Sequence, residues 1–167
     1  MTHPATKRSR LTVDTPTGPI TLSEEDGAIV AVFWDGRSKG SAATDDSPLL
    51  QKAAQQLRDY FAGTRREFDL PLKPTGSDFQ RAVWHEMLAI PYGQTRSYGD
   101  LAKATAGIAR AVGTACGANP IPIFIPCHRV LAADRQLGGF SGGQGPQTKA
   151  WLLTLEGAWP VQHALQL

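Results

Sequence analysis

A Cys-His pair flanked by prolines limits what this chain can be. The apolar run that includes Ile125 stops at Pro126, and Cys127 and His128 follow at once. Two further prolines lie upstream in Asn119-Pro120-Ile121-Pro122, so the backbone around the thiol has little conformational freedom. A thiol reacts as its thiolate, and an imidazole is a common acceptor of its proton. An isolated Cys-His dipeptide is usually an inert buried cysteine beside a histidine, but the restricted backbone favours a reactive site.

The composition favours a folded protein of a reducing compartment. The 167 residues, 41% of them hydrophobic, suit one domain or two small ones with a substantial core. The two cysteines, Cys116 and Cys127, cannot form a disulfide framework, and no apolar run is long enough to cross a bilayer. Residues 1–10 are basic but lack the apolar segment of a secretory signal. We therefore expect a cytoplasmic protein without a membrane partner.

The charge alone does not indicate a nucleic-acid-binding protein. The net charge is +2, which is too small to steer a polyanion by its field. Residues 1–75 hold ten basic and ten acidic side chains, so the whole excess lies in residues 76–167, with seven against five. This distribution is close to that of an ordinary mixed surface.

The first part of the chain predicts an antiparallel meander. Residues 1–9 are polar, and we expect them to be flexible. Three strand-like stretches between residues 10 and 34 are separated by turn signals at Thr17-Gly18-Pro19 and Asp26-Gly27. Turns this short join antiparallel neighbours.

A helix and a linker follow the meander. Ser47, followed by a proline, is typical of a helix start. Residues 67–70 alternate in polarity and predict a further strand, and residues 71–76 indicate a linker. We therefore predict an N-terminal domain of a small antiparallel sheet plus a helix over residues 10–75, and a second domain over residues 76–167.

The second half predicts a mainly helical domain with a helix-turn-helix unit. Ser77 and Gln80 have the spacing of a capping box before an amphipathic helix. Ser97 repeats this start before a short helix, and Gly107 separates that helix from a third helical stretch over residues 108–116. Two short helices joined by a tight turn can bind DNA, although many such pairs only pack a core.

Two features of the third helical stretch favour DNA. Arg110 lies at its start, where free backbone amides and the positive end of the helix dipole also favour phosphate. Small side chains leave the helix slim enough to enter a groove: Ala109, Ala111, Gly113, Thr114 and Ala115. Residues 138–143 are glycine-rich but lack the Gly-Lys-Ser/Thr ending of a nucleotide-binding loop, so we interpret them as a pocket wall.

The order of these motifs resembles the O6-alkylguanine-DNA alkyltransferase family. The match covers residues 77–167, and more loosely the sheet and helix before them. Eight segments match in order: Phe79-Gln80-Arg81-Ala82-Val83-Trp84, Ile90-Pro91-Tyr92-Gly93, Thr95-Arg96-Ser97-Tyr98, Arg110-Ala111-Val112-Gly113, Asn119-Pro120, Ile125-Pro126-Cys127-His128-Arg129-Val130, Gly142-Gly143, and Leu152-Leu153 before Glu156-Gly157. The resemblance implies an α/β chain whose small N-terminal domain precedes a winged helix-turn-helix-like catalytic domain.

The resemblance also implies a reaction and the residues that perform it. The family transfers an alkyl group irreversibly, once per molecule, from O6-alkylguanine in DNA to its own cysteine, with O4-alkylthymine as a second substrate that the sequence leaves open. Cys127 would be the acceptor and His128 its base through a water. Glu156 would orient His128, and Asn119 would brace the active-site turn. No cofactor and no metal are implied.

The resemblance further implies how DNA would be held by a protein that is monomeric in solution. Arg110 would take the place of a flipped nucleotide in double-stranded DNA, entered from the minor groove without sequence preference, and Tyr98 would help to rotate the phosphate and bond the base. The other implied DNA contacts are Ala111, Thr114 and Ala115, and the implied pocket residues are Pro122, Val130, Phe140, Ser141 and Lys149. The link before Arg110 is shorter than the family pattern.

Two other functions use some of the same features. A catalytically silent sensor of DNA damage would bind without taking the alkyl group. A cysteine hydrolase would use the same Cys-His-Glu residue types, but it would turn over and would not need the helix pair. The adjacent His128 leads us to expect a Cys127 pKa below the free value of about 8.5, with Cys116 inert in its helix.

Overall fold

The structure, a computed structural model, describes residues 8–34 and 47–159. The chain divides into two compact units, Met1–Pro74 and Thr75–Leu167. Of the residues expected to be flexible, 1–7 lie outside the described ranges. In the described residues, no helix is long and apolar enough to pass through a membrane.

The first unit contains the predicted antiparallel meander. Its strands are β1 (Arg8–Val13), β2 (Ile20–Glu25) and β3 (Ala28–Phe33), in the order β1-β2-β3. Asp26 and Gly27 both have positive φ, the conformation that lets a two-residue turn follow the right-handed twist of its strands. The strand prediction is confirmed.

The first strand begins two residues earlier than predicted. Arg8 donates to the Glu25 carboxylate across β1 and β2 at 2.7 Å, and the neighbouring Ser9 is buried. The polar appearance of residues 8 and 9 therefore reflects pairing within the sheet and not a flexible terminus.

The helix α1 (Pro48–Phe61) packs on this sheet. The Ser47 hydroxyl accepts the backbone N–H of Leu50 at 3.2 Å, which is the predicted cap. The buried face of the helix consists of Leu50, Ala53, Ala54, Gln56, Leu57 and Tyr60.

The strand predicted for residues 67–70 is absent, and this prediction was wrong. The side-chain amide of Gln56 forms two hydrogen bonds with the backbone of Asp69. Its oxygen accepts the Asp69 N–H at 3.0 Å, and its nitrogen donates to the Asp69 carbonyl at 3.4 Å. The only bridge in this region joins Ile29 and Leu72. Side-chain bonds from α1 thus replace the strand partner that the alternating pattern suggested.

The described residues of the second unit form four α-helices and one short parallel strand pair. The helices are α2 (Asp78–Leu88), α3 (Tyr98–Thr105), α4 (Ala109–Gly117) and α5 (Pro146–Leu155). The strands β4 (Arg96–Ser97) and β5 (Val130–Leu131) pair in parallel.

Two predicted helix starts are confirmed as capping boxes. Before α2, the Ser77 hydroxyl accepts the Gln80 N–H at 3.1 Å while the Gln80 side chain accepts the Ser77 N–H at 2.9 Å. Before α3, Ser97 and Asp100 make the same pair of bonds, both at 3.0 Å. Each box satisfies two amides that the helix itself leaves unpaired.

A tight turn joins α3 to α4. Ala106 is left-handed with φ of 56°, and Gly107 donates to the Ala102 carbonyl at 2.9 Å. A Cβ on Gly107 would lie 2.7 Å from the Phe79 ring, so a larger residue would require that ring to move. The helix pair is therefore held by packing as well as by its turn.

A buried tryptophan on α2 binds α4. Trp84 is buried, and its indole N–H donates to the Ala115 carbonyl at 2.8 Å. Buried tryptophans need such a partner for their only donor.

Candidate active site

The backbone before the predicted acceptor forms a strained turn. Ile125 donates to the Ile121 carbonyl at 2.9 Å, and Ile123 between them has φ of 73°. A β-branched residue in this region costs about 1–3 kcal/mol and persists only where its surroundings enforce it. Asn119 supplies that enforcement, because its side chain accepts the Ile121 N–H at 3.0 Å and donates to the Ile125 carbonyl at 2.8 Å.

Cys127 begins a single 3-10 turn, Cys127–Arg129, directly after this loop. Its N–H donates to the Ile125 carbonyl at 2.8 Å, and the residue is only 7% exposed. Burial raises the pKa of the Cys127 thiol, and a hydrogen bond from Asn119 and the charge of Lys149 offset this only in part. The expectation of a lowered Cys127 pKa was wrong, and the resting thiol is neutral.

Cys116 lies on α4 and is also buried. Burial is the main cause that raises its pKa to about 12. Its sulfur contacts the sulfur of Met87 at 3.6 Å. The raised pKa keeps this thiol protonated, which supports the prediction that Cys116 is inert.

The imidazole of His128 is fully buried and bonded on one side. Nε2 lies 2.7 Å from Oε2 of Glu156, while Nδ1 has no hydrogen-bond partner among the described protein atoms. Burial lowers the pKa of His128 despite the opposing hydrogen bond and charge of Glu156. A neutral ring that donates from Nε2 to a carboxylate keeps the lone pair on Nδ1, so Nδ1 is the atom that can receive a proton.

Arg129 holds the same carboxylate from the other side. Its Nε donates to Oε1 of Glu156 at 2.8 Å, and a terminal nitrogen donates to Oε2 at 3.0 Å. Another terminal nitrogen donates to the Ile90 carbonyl at 2.7 Å, and the guanidinium lies 5.7 Å from the Tyr92 ring centroid. Sequence reasoning assigned Arg129 no role, although its place directly after Cys-His could have suggested one.

The two partners keep Glu156 ionised inside the protein. Burial alone would raise its pKa, but the hydrogen bonds from His128 and Arg129, together with the charge of Arg129, lower the pKa of Glu156 to about 2. Because burial favours the neutral form of His128, Arg129 is the permanent cation of this group. A carboxylate with a fixed counter-ion can then hold the imidazole in one tautomer.

Lys149 joins the strand after the acceptor to the glycine-rich loop. Its amine is buried and donates to the Val130 carbonyl at 2.6 Å and to the Gly139 carbonyl at 3.3 Å. Burial lowers the pKa of Lys149 to about 8. The Val130 N–H donates to the Cys127 carbonyl, so the backbone group of Val130 that could bind a substrate is its carbonyl. That carbonyl already accepts the bond from Lys149.

Tyr98 lies between Lys149 and the same loop. The amine of Lys149 is 5.6 Å from the Tyr98 ring centroid, and a Cβ on Gly138 would lie 2.9 Å from the Tyr98 hydroxyl. Burial raises the pKa of Tyr98 to about 12. Its hydroxyl therefore keeps its proton and can donate a hydrogen bond. Of the other predicted pocket residues, Pro122 and Phe140 are partly buried and Ser141 is exposed.

The predicted DNA contacts on α4 differ in accessibility. Arg110 is exposed at the second position of the helix. Thr114 is also exposed, with its hydroxyl donating to the Arg110 carbonyl at 3.2 Å, and Ala111 is partly buried. Ala115 is buried, and this burial argues against the DNA contact expected from it.

The strand pair connects the helix pair to the reactive turn. Arg96 pairs with Val130 and Ser97 with Leu131. Ser97 caps α3, and Val130 directly follows the 3-10 turn that carries Cys127. The start of the helix-turn-helix unit and the thiol are thus fixed to one backbone ladder.

Within the described ranges, no group of three or more His, Cys, Asp or Glu side chains could hold a metal ion.

Two family models match the two parts of the chain. The model described as "6-O-methylguanine DNA methyltransferase, ribonuclease-like domain" matches residues 10–74. The model described as "6-O-methylguanine DNA methyltransferase, DNA binding domain" matches residues 78–158, which include the whole site.

Individual relatives agree with these models. The chain is 40% identical over 154 residues to the constitutive methylated-DNA–protein-cysteine methyltransferase of Bacillus subtilis, covering 87% of this chain and 93% of that protein. It is 43% identical over 137 residues to the protein of the same name from Mycobacterium tuberculosis, with 79% and 83% covered. The crystal structure of the Mycobacterium tuberculosis O6-methylguanine methyltransferase superposes with a TM-score of 0.79 at 39% identity, covering 96% of this chain and 100% of that one. A second structure, Mycobacterium tuberculosis OGT in complex with DNA, gives a TM-score of 0.78 at 43% identity, with 88% and 91% covered.

Proposed function

Because the chain belongs to the 6-O-methylguanine DNA methyltransferase family, we propose that it repairs DNA by transferring an alkyl group from O6-alkylguanine to the sulfur of Cys127. The observation that carries this proposal is the buried group in which Glu156 holds His128 next to Cys127. That group lies in the unit that also contains the helix-turn-helix.

The reaction is an in-line displacement at the alkyl carbon. The sulfur of Cys127 forms a bond to this carbon while the bond between the carbon and guanine O6 breaks. The thiol proton passes to Nδ1 of His128 through a water, and guanine leaves with the electron pair of the broken bond and then gains a proton. Tyr98, whose pKa is raised to about 12, keeps its own proton and donates a hydrogen bond to the leaving guanine, which takes its proton from water. Burial of the neutral thiol means that deprotonation accompanies substrate binding and is not complete beforehand.

Each molecule acts once. The product is a thioether, which neither water nor thiol exchange cleaves, and the reaction provides no step that restores the thiol. The substrate oxygen is inside a base pair, so the damaged nucleotide must leave the stack, at a cost of a few kcal/mol that a weakly paired base reduces. Arg110, which is exposed at the start of α4, would fill the space that this nucleotide vacates.

The partner is double-stranded DNA, bound through the minor groove by a monomer. The slim α4 carries few hydrogen-bonding side chains, which favours sequence-tolerant contacts dominated by phosphates. Residues 76–167 contain the DNA-binding and alkyl-acceptor machinery, and residues 10–75 form a separate N-terminal domain. A free acceptor thiol requires a reducing compartment, which supports a cytoplasmic location.

Intact-protein mass spectrometry tests the proposal directly. After incubation with a duplex that contains O6-methylguanine, the protein should gain one methyl group in place of a hydrogen, and peptide mapping should place it on Cys127. The variant Cys127→Ala should gain nothing, and Cys116→Ala should react like the wild type. A parallel duplex with O4-methylthymine determines whether that base is also a substrate.

The same experiment separates the alternatives. A silent damage sensor would bind the duplex without any gain in mass. A cysteine hydrolase would release product repeatedly from one protein molecule. Either outcome would contradict stoichiometric alkyl transfer.

A further inference from the structure

The start of α4 presents an apolar side chain that none of the roles above explains. Among the described residues, three large apolar side chains are exposed: Leu88 at 47%, Trp151 at 37% and Ile108 at 65%. Ile108 is the most exposed of the three, and it lies two positions before Arg110. Single exposed apolar residues are common on proteins, so exposure alone does not indicate a contact.

Ile108 also occupies a position where its residue type is unfavourable. It is the N-cap of α4, with extended backbone angles of −119° and 155°, and it makes no side-chain cap bond. Serine, threonine, aspartate or asparagine would accept an amide of the first turn here, whereas isoleucine cannot. The isoleucine therefore makes no cap bond and exposes its apolar side chain to water. A serine or threonine at this position would stabilise the isolated protein more.

The backbone of Ile108 is rigid on both sides. Before it, Gly107 is pressed against the Phe79 ring and bonded to Ala102. After it, the Ile108 carbonyl accepts the Val112 N–H at 3.1 Å, the first bond of α4. The side chain is β-branched and has few rotamers. An apolar side chain held in this way can be pushed into a partner with little loss of entropy.

The proposed role of Arg110 suggests the partner of Ile108. Consecutive Cα atoms are about 3.8 Å apart, so the Cα atoms of residues 108 and 110 are separated by at most about 7 Å. The rise between stacked base pairs is about 3.4 Å. A duplex engaged by Arg110 thus brings its next one or two base steps to Ile108. Proteins that bend the minor groove place isoleucine, leucine, methionine or phenylalanine at such steps.

We propose that Ile108 is an apolar wedge that contacts the minor-groove side of the base step next to the damaged nucleotide and weakens its stacking. This inference rests on the proposed function, since it requires that Arg110 enters the same groove. Ile108 assists extrusion of the nucleotide and takes no part in the alkyl transfer itself.

Two variants test the wedge without confusing it with folding. Ile108→Ser removes the apolar side chain and supplies the missing helix cap, so it should melt at the same or a higher temperature than the wild type. Ile108→Val keeps a β-branched apolar side chain. Leu88→Ala is the matched control, because it removes an exposed apolar side chain from α2.

Single-turnover rates are measured on three substrates. These are free O6-benzylguanine, a duplex with O6-methylguanine opposite cytosine, and the same duplex with O6-methylguanine opposite an abasic site, where the damaged base has no pairing partner and leaves the duplex at lower cost. For Ile108→Ser we expect about a tenfold loss on the paired duplex, about half that loss or less opposite the abasic site, and no change on the free base. Ile108→Val and Leu88→Ala should stay within about twofold of wild type on all three substrates.

Several outcomes would overturn the inference. Equal loss on the paired and abasic duplexes would show that Ile108 contributes only general affinity. In another outcome, Ile108→Ser loses cooperative binding to undamaged duplex while the ratio of its rates on the two damaged duplexes equals that of the wild type. This outcome would assign Ile108 to a contact with a second copy of the chain. Loss on free O6-benzylguanine would place its effect in the pocket. If the wild type itself transfers no alkyl group to any substrate, the proposed function fails, and that result is distinct from a failure of the wedge.

Discussion

Nε2 of His128 lies 2.7 Å from Oε2 of Glu156, and this contact determines which imidazole nitrogen can receive a proton. The carboxylate is ionised, so Nε2 carries the hydrogen and Nδ1 carries the lone pair. Arg129 forms an ion pair with Glu156 and keeps its carboxylate ionised, so the imidazole stays in this tautomer.

Replacement of Glu156 by glutamine should therefore disable the base while it preserves the shape of the site. The amide can donate to Nε2, which forces the hydrogen onto Nδ1, and it leaves Arg129 as an uncompensated buried cation. We expect alkyl transfer to free O6-benzylguanine to slow by about 10²–10³-fold and unfolding to become easier by about 3–5 kcal/mol. Stopped-flow kinetics and urea melts measure both. Glu86→Gln, which breaks the more exposed ion pair with Arg96, is the control, and an equal effect there would contradict the assignment.

The lowered pKa of Glu156 predicts acid sensitivity. Its pKa is about 2 in the folded protein against an ordinary value of 4.5, so the unfolded chain binds the proton more readily. The stabilisation is complete above about pH 5 and is lost as the pH falls toward 2, with a total of about 3 kcal/mol. Urea melts of the wild type and Glu156→Gln between pH 2 and 6 should converge at the acid end. A constant difference across this range would mean that Glu156 does not titrate with folding.

The buried thiol of Cys127 should react slowly with ordinary alkylating reagents. Its pKa is raised by burial, so little thiolate exists near neutral pH. We expect iodoacetamide at pH 7.5 to modify Cys127 at least about tenfold more slowly than free cysteine, and Cys116 to be no faster. Peptide mass spectrometry over time measures the two sites, and urea-unfolded protein gives the reference rate. A Cys127 faster than free cysteine would restore the expectation of a lowered pKa.

Arg110→Ala should separate duplex repair from the chemical step. Only a base-paired substrate needs a residue to fill the vacated stack, so we expect at least a tenfold loss on duplex O6-methylguanine and little change on free O6-benzylguanine. Arg81→Ala, which removes an exposed arginine from the first turn of α2, is the matched control. An equal loss on both substrates would assign Arg110 to folding or to the pocket.

Methylation should destabilise the protein. Cys127 is buried behind the strained turn that Asn119 braces, and an extra methyl group in a filled site costs about 1–3 kcal/mol. We expect stoichiometrically methylated protein, freed of DNA, to melt below the unmodified form, and residues 138–145 to show the first increase in hydrogen exchange. Calorimetry on the two forms decides the matter, since an unchanged or higher melting temperature would indicate spare room around the sulfur.

Local signals in the sequence predicted local structure well. Ser77 with Gln80 and the Asp26-Gly27 turn depend on residues within three positions of each other, and both formed as expected. Residues 67–70 failed as a strand because Gln56, more than ten positions away, binds the backbone there. No local pattern contains that information.

The electrostatics of the site were less predictable for a similar reason. The direction of the Cys127 pKa follows from its burial, which depends on the packing of distant segments and not on the adjacent His128. The link between Arg129 and Glu156 spans 27 positions in the chain. The strained φ of Ile123 is likewise enforced by Asn119 and is contrary to the preference of isoleucine.

The parallel pairing of β4 and β5 fixes a distance within the second unit. Ser97, which starts the helix pair, and Val130, which follows the reactive turn, belong to one ladder, so the fold itself sets the distance between the start of the helix pair and Cys127. If the helix pair holds DNA as we propose, this fixed distance limits the substrates: an alkyl group reacts only when the rotated nucleotide carries it to the sulfur.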